Sequence, residues 1–229
     1  GVIGAKDADI ILQDSENAKA TWFDNASVVR LANAKSIDAS AIATQLIVAK
    51  TQSIIGNGAR VMLAGALKLT GMETTPEQFE ALLSDWLKQY AEAPMNHTKP
   101  WKNVVETLEK LKSTGCRMAV CTNKPALPTK AILQKLDLEK YFDVVLSADS
   151  LPVRKPRPEP LWEAVKRMGG TNDNAVMIGD SEADAEAARN AGFPVILLSF
   201  GYAHVPFSEI KPDVLIDDFG DLPEALGQL

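Results

Sequence analysis

The sequence predicts an α/β fold, a Rossmann-like parallel sheet core with an inserted helical domain, and three observations predict it. The second half carries short, almost wholly apolar runs at Arg117–Cys121, Val144–Ser147, Ala175–Ile178, Val195–Leu198 and Val214–Ile216. Helical patterns at Ala126–Leu136, Pro160–Met168 and Glu182–Ala191 separate the earlier runs. Residues from about 25 to 92 are rich in Ala, Leu and Ile and lack β-branched runs of that kind. Strands that are apolar throughout and alternate with helices belong to a parallel sheet covered on both faces. Such sheets bind their ligands beyond the carboxyl ends of the strands.

The chain has 229 residues, enough for one large domain or two small ones. A chain of this size buries about 70% of its unfolded surface and needs no disulfide or zinc staple. Apolar residues make up 46% and charged residues 24%, which excludes disorder and collagen-like structure. The net charge is −6 and the pI near 5.1, so nucleic acid and anionic membranes are poor partners, although a local basic pocket can still bind an anion. No apolar run approaches the roughly 18–20 residues of a membrane span. The first thirty residues mix Lys6, Asp7, Asp9, Asp14 and Glu16 with apolar positions and do not read as a signal peptide. Cys116 and Cys121 sit on one segment and make no disulfide framework, so the cytoplasm is the expected compartment.

The helical stretch contains a strong start signal, Thr75-Pro76-Glu77-Gln78: Thr at the N-cap, Pro at the first helical position and Gln reaching back. Phe79, Leu82, Leu83, Trp86, Leu87 and Tyr90 then keep helical spacing. Ala93-Pro94 to Lys99-Pro100 reads as the linker back to the sheet. The expected division is therefore a core of residues 1–24 and 95–229 and a helical insertion of residues 25–94.

Three segments that come after strands carry chemistry. Thr122-Asn123-Lys124-Pro125 places a hydroxyl and backbone N–H groups at a strand end and helix start, an anion cradle or a plain helix cap. In Arg154-Lys155-Pro156-Arg157-Pro158 the prolines stiffen a basic loop, so that Lys155 either meets a phosphate dianion or sits in a solvated turn. In Gly179-Asp180-Ser181-Glu182-Ala183-Asp184, Gly179 permits a sharp exit, and Asp184 lies one helical turn beyond Asp180 on the same side. Paired carboxylates there suit Mg²⁺, which takes one or two carboxylates and keeps several waters.

Together these segments resemble the haloacid dehalogenase-like hydrolase superfamily. The wording is similar to its phosphoglycolate phosphatase branch: Cys121-Thr122-Asn123-Lys124-Pro125, Lys155-Pro156-x-Pro158, Gly179-Asp180-Ser181-x-x-Asp184, Gly201-Tyr202, and Ile55-Gly56-Asn57-Gly58-Ala59 in the helical part. The resemblance runs from about residue 54 to the C-terminus. It implies a helical cap over a phosphate site in which Thr122 and Asn123 bind phosphate and Lys155 steadies nucleophile and phosphate. Asp180 and Asp184 would serve Mg²⁺.

The family opens with a strand ending in Asp-x-Asp-Gly-Thr, where the first Asp attacks phosphorus and the second is the acid/base. No such string stands here, and two registers compete. In one, Asp7-Ala8-Asp9 supplies both acids and Leu12-x-Asp14-Ser15 matches the residues usual just after them, but Ile10 and Ile11 replace Gly and Thr, and Lys6 would face a dry core. In the other, Ile10-Ile11-Leu12 is the strand, Asp14 the nucleophile and metal ligand, and Glu16 the acid/base, with a separation to the Gly56 segment closer to the usual cap entry. The second is preferred, and a chain in which neither register works is the third option.

Other motifs are missing. Gly56-Asn57-Gly58 lacks the further glycine of a dinucleotide fingerprint, no phosphate loop ends Gly-Lys-Ser/Thr, and no Gly-x-Ser-x-Gly elbow accompanies His97 or His204. Cys121 reads as buried strand filler. The expected function is Mg²⁺-dependent hydrolysis of a small phosphate monoester through an aspartyl-phosphate. Gly56, Asn57, Gly58 and Arg60 are expected to read the substrate, and the chain to be a monomer or homodimer. The alternatives are a catalytically impaired relative that binds phosphate or a partner, and a dehalogenase on the same scaffold, against which Asp180 and Asp184 argue.

Overall fold

The computed structural model describes Val2–Ile3, Leu12–Gln13 and residues 59–69, 72–92, 98–201 and 203–229. The chain divides into two compact units, Gly1–Gln13 with Thr98–Leu229, and Asp14–His97.

In the larger unit six strands form one parallel sheet: β1 (Val2–Ile3), β4 (Ala119–Cys121), β5 (Val144–Leu146), β6 (Met177–Gly179), β7 (Val195–Leu198) and β8 (Val214–Ile216). Their order across the sheet is β5-β4-β1-β6-β7-β8. The apolar runs fold as expected, with ends moved by a residue or two. Both neighbours of β1 are distant in sequence: Ile3 stands opposite Val120 on one side and Ile178 on the other. The same unit holds a small antiparallel pair, β2 (Leu12–Gln13) with β3 (Lys99–Pro100), in the segment expected to be a plain linker.

That pairing corrects one expectation. Ile10-Ile11-Leu12 is not the central strand, because Leu12 belongs to the two-stranded sheet and Val2–Ile3 fills the centre. A short apolar run fits either place, and its period does not distinguish them. The choice lies in which partner strand it meets.

Helices α3 (Val104–Ser113), α4 (Ala126–Lys135), α5 (Glu159–Arg167), α6 (Glu182–Ala191), α7 (Phe207–Ile210) and α8 (Leu222–Leu226) complete this unit. Its buried core joins Ala119, Cys121 and Leu146 of the strands to Leu161, Ala164 and Val165 of α5 and to Ala185, Ala187 and Ala188 of α6. The small side chains of α6 let its backbone lie close to the sheet, which matters for the site below.

In the smaller unit α1 (Ala59–Leu69) packs with α2 (Pro76–Glu92). Leu63, Leu67, Leu82, Leu83 and Trp86 form its buried contacts. The start of α2 is the capping box expected from sequence: Gln78 N–H donates to Thr75 Oγ1 (3.3 Å) and Thr75 N–H to Gln78 Oε1 (3.1 Å). Among the described residues no helix is long and apolar enough to cross a membrane.

Candidate active site

Chain order across the sheet reverses at β1, with β4 on one side and β6 on the other. Ligands of open α/β sheets bind at such a switch point, outside the carboxyl ends of the strands. Thr122 comes directly after β4 and Asp180 directly after β6, so both stand at that edge. Lys155 arrives from the loop between β5 and α5. All three are buried, as are Asn123 and Asp184.

Hydrogen bonds tie these segments together. Lys155 Nζ donates to Asp184 Oδ1 at 2.6 Å, with both side chains essentially inaccessible, 1% and 0% exposed. The other oxygen of Asp184 accepts from the Ser181 hydroxyl (2.6 Å) and from the Asp180 N–H (3.1 Å). Local sequence explains this: α6 begins at Glu182, so positions 181 and 184 share one turn. From the other side, Asn123 Nδ2 donates to the Lys155 carbonyl at 3.0 Å. Thr122 Oγ1 accepts from the Lys124 N–H at 3.0 Å, and the Thr122 N–H donates to Leu146 O at 2.9 Å, which extends the β4–β5 pairing by one bond.

Burial works against the charge on Lys155, but attraction to Asp184, supported by Asp180, outweighs it and raises its pKa above the ordinary lysine value. The ammonium is therefore permanent at neutral pH. Burial pushes the Cys121 thiol up to about 11, so Cys121 is a neutral core group and no nucleophile, as its strand position implies. A cavity of about 10 Å³, room for one water, is lined by Cys121, Thr122, Asn123, Ser147 and Lys155. Asn123 Oδ1 is buried beside it and accepts no bond from the described residues.

The donor set fits a hard divalent cation in part. No group of three or more His, Cys, Asp or Glu side chains with metal-ligand placement stands among the described residues. Both Asp184 oxygens already serve Lys155, Ser181 and Asp180, which leaves it to orient the site, with Asp180 as the described carboxylate for a metal. Mg²⁺ takes only one or two carboxylates and keeps several waters, so Asp180 would supply one of them.

Asp7, Asp9, Asp14 and Glu16 lie outside the described residues, as do Gly56, Asn57 and Gly58. Arg60 is described on α1, where its half-exposed guanidinium forms a two-pronged pair with Glu80 of α2 at 2.5 and 2.8 Å. Its donor fork is thus engaged within the helical unit. Ser181 and the side-chain amide of Asn123 join the site without having been expected from sequence. The three-residue spacing of Ser181 and Asp184 is a signal that could have found the first; the second depends on a loop more than thirty residues away.

The sequence profile of the haloacid dehalogenase-like hydrolases matches residues 39–198, well over half of the chain. The chain belongs to this family. As a haloacid dehalogenase-like hydrolase it has named relatives: it is 36% identical over 173 residues to the phosphoglycolate phosphatase of Agrobacterium fabrum, covering 76% of this chain and 74% of the relative. It is 38% identical over 172 residues to that of Caulobacter vibrioides, covering 75% and 73%. Among solved structures, a crystal structure described as a predicted phosphoglycolate phosphatase from Haemophilus somnus superposes with a TM-score of 0.77 at 28% identity, over 98% of this chain and 96% of that one. The profile match begins after all four candidate N-terminal acids.

Proposed function

We propose that this hydrolase is a Mg²⁺-dependent phosphatase acting on a small phosphate monoester of the 2-phosphoglycolate kind. The observation that carries the reading is the buried Lys155, its ammonium held by Asp184 and its backbone carbonyl by Asn123 Nδ2, at the edge where Thr122 and Asp180 stand. A fixed, desolvated cation beside a hydroxyl and turn N–H groups is preorganised for the equatorial oxygens of a transferring phosphoryl group. Naming of the relatives as phosphoglycolate phosphatases supports the substrate class.

In this reading Asp7 attacks phosphorus, with Asp9 protonating the leaving oxygen and later activating the water that cleaves the aspartyl-phosphate. Support for Asp7 over Asp14 comes from topology: Val2–Ile3 is the central strand, and Leu12–Gln13 pairs with Lys99–Pro100 as the stretch just past the catalytic acids. Lys155 neutralises the phosphate, Thr122 and the Asn123 backbone hold its oxygens, and Asp184 keeps Lys155 in place. Mg²⁺ held by Asp180 and one early acid would offset repulsion between the anionic nucleophile and the phosphate. The Gly56–Asn57–Gly58 backbone would meet the glycolate carboxylate.

The experiment is phosphate release from 2-phosphoglycolate by the whole protein, with Mg²⁺ and after EDTA, alongside Asp7→Asn, Asp14→Asn and Asp180→Asn. The reading requires turnover that EDTA stops, lost in Asp7→Asn and Asp180→Asn and retained in Asp14→Asn. A second reading has an observation of its own: Ile10 and Ile11 stand after Asp9 in place of Gly and Thr, and the family match starts only at residue 39. In that reading the protein binds phosphate without turnover. Calorimetric binding of inorganic phosphate with no product from any ester would favour it.

A further inference from the structure

Two glycines make contacts that no other residue type could make. A Cβ at position 201 would lie 2.1 Å from Asp180 Cβ and 2.6 Å from its Oδ2. A Cβ at position 179 would lie 2.3 Å from Asp184 Cβ and 2.8 Å from its Oδ2. Among the glycines whose surroundings are described, only these two would bring a Cβ closer than 3.0 Å to anything. Gly115, Gly169 and Gly192, by contrast, have positive φ and open space around them, so they serve the backbone's turn and not a neighbour. The two close approaches fall on the two aspartates of the site, one each.

We propose that Gly201 and Gly179 are positioning residues: Gly201 is the seat of the Asp180 carboxylate, and Gly179 is the seat of Asp184 and, through it, of Lys155. The inference rests on the reading of Asp180 as the metal carboxylate and Lys155 as the phosphate cation. The Gly201 loop is itself held. Its N–H donates to Leu198 O at 3.3 Å, and the neighbouring Phe200 ring packs 4.7 Å from Trp101, next to β3. A methyl at 201 therefore cannot be absorbed by the loop and moves the carboxylate instead. Displacing a group that orients a metal ligand costs about 10- to 100-fold in metal affinity. A methyl at 179 moves Asp184 and so loosens Lys155 and the bond from the Asp180 N–H, while the Asp180 carboxylate keeps its seat on Gly201.

The test uses the full chain and two binding probes, Mn²⁺ or Mg²⁺ alone and inorganic phosphate alone, by calorimetry. Gly201→Ala is expected to weaken metal binding at least about 10-fold. Gly179→Ala is expected to weaken phosphate binding and to weaken metal binding less than Gly201→Ala does. Thermal unfolding supplies the check if Gly201→Ala folds poorly: combined with Asp180→Gly, the methyl introduced at position 201 meets no side chain and leaves the midpoint of Asp180→Gly unchanged. Wild-type metal affinity in Gly201→Ala, equal metal loss in both variants, or an undiminished destabilisation in the Asp180→Gly background would overturn the proposal. Failure of the underlying reading shows separately, as Asp180→Asn binding metal like the wild type; the melting comparison then still decides whether Gly201 seats Asp180.

Discussion

Lys155 and Asp184 form an ion pair with almost no water, and its two halves have separable consequences. A buried charge that loses its partner costs about 3–5 kcal/mol, whereas replacing both members by apolar groups is often neutral. Lys155→Met is expected to lower stability in urea unfolding by that amount, and to lower phosphate release by about 10²–10³-fold, the loss typical of a preorganised transition-state donor. Lys155→Met with Asp184→Leu should recover stability and not turnover. Cys121 makes a second prediction. Its thiol ionises near 9.0 ordinarily and at about 11 in the fold, so above pH 9 the unfolded chain releases a proton that the native state keeps. Stability is therefore full below pH 9 and falls as pH rises, by about 2 kcal/mol at pH 10.5. The raised pKa values of Tyr141 and Lys155 act in the same direction only above their ordinary 10.0 and 10.5, so the interval from pH 9 to 10 isolates the thiol. Unfolding free energies measured across that interval should slope downward in the wild type and lie flat in Cys121→Ala.

Each functional group of the site hangs on a strand–turn–helix step. Apolar strands end at Cys121 and Gly179, the next residues turn, and a helix starts within a few positions. Local signals of this kind are legible: the Gly179 exit, the Pro-flanked Lys155 loop and the Thr75 capping box all lie where the sequence places them. Thr75→Ala should cost about 1 kcal/mol, read as a lowered thermal midpoint. Helix α3 was legible in principle, since Val104, Leu108 and Leu111 recur at helical spacing and are buried. Its start carries a cap pattern in sequence, Asn103 with Glu106 three residues on, but the Asn103 side chain makes no cap bond. Asn103 adopts φ 64° and its side chain donates instead to Asp218 at 2.7 Å, a residue more than a hundred positions away. That acid also accepts from the Gly220 N–H, and these bonds hold its carboxyl below the usual range.

On the scale of the whole molecule, the sheet depends on its earliest segment. β1 hydrogen-bonds to β4 and to β6, and without it the two halves of the sheet lose their junction. A protein lacking residues 1–13 is therefore expected to lose its cooperative thermal transition by circular dichroism; a variant that still melts sharply would show that β4 and β6 can close on each other.

The sequence by itself determined the α/β class and the order of strands and helices from residue 117 onward, and it pointed to Thr122, Lys155, Asp180 and Asp184 as candidate site residues. Each of these is written locally, as an apolar run, a turn residue or a helix start. Only the tertiary structure decided that Val2–Ile3, and not Ile10–Leu12, occupies the centre of the sheet. It also decided that Asp184 spends both oxygens on Lys155 and its neighbours, and that two glycines press against the two aspartates. The physical reason is that the pairing of β1, the Lys155–Asp184 ion pair and the Gly201–Asp180 contact each depend on a partner distant along the chain, and the periodicity of a segment carries no information about whom it will meet.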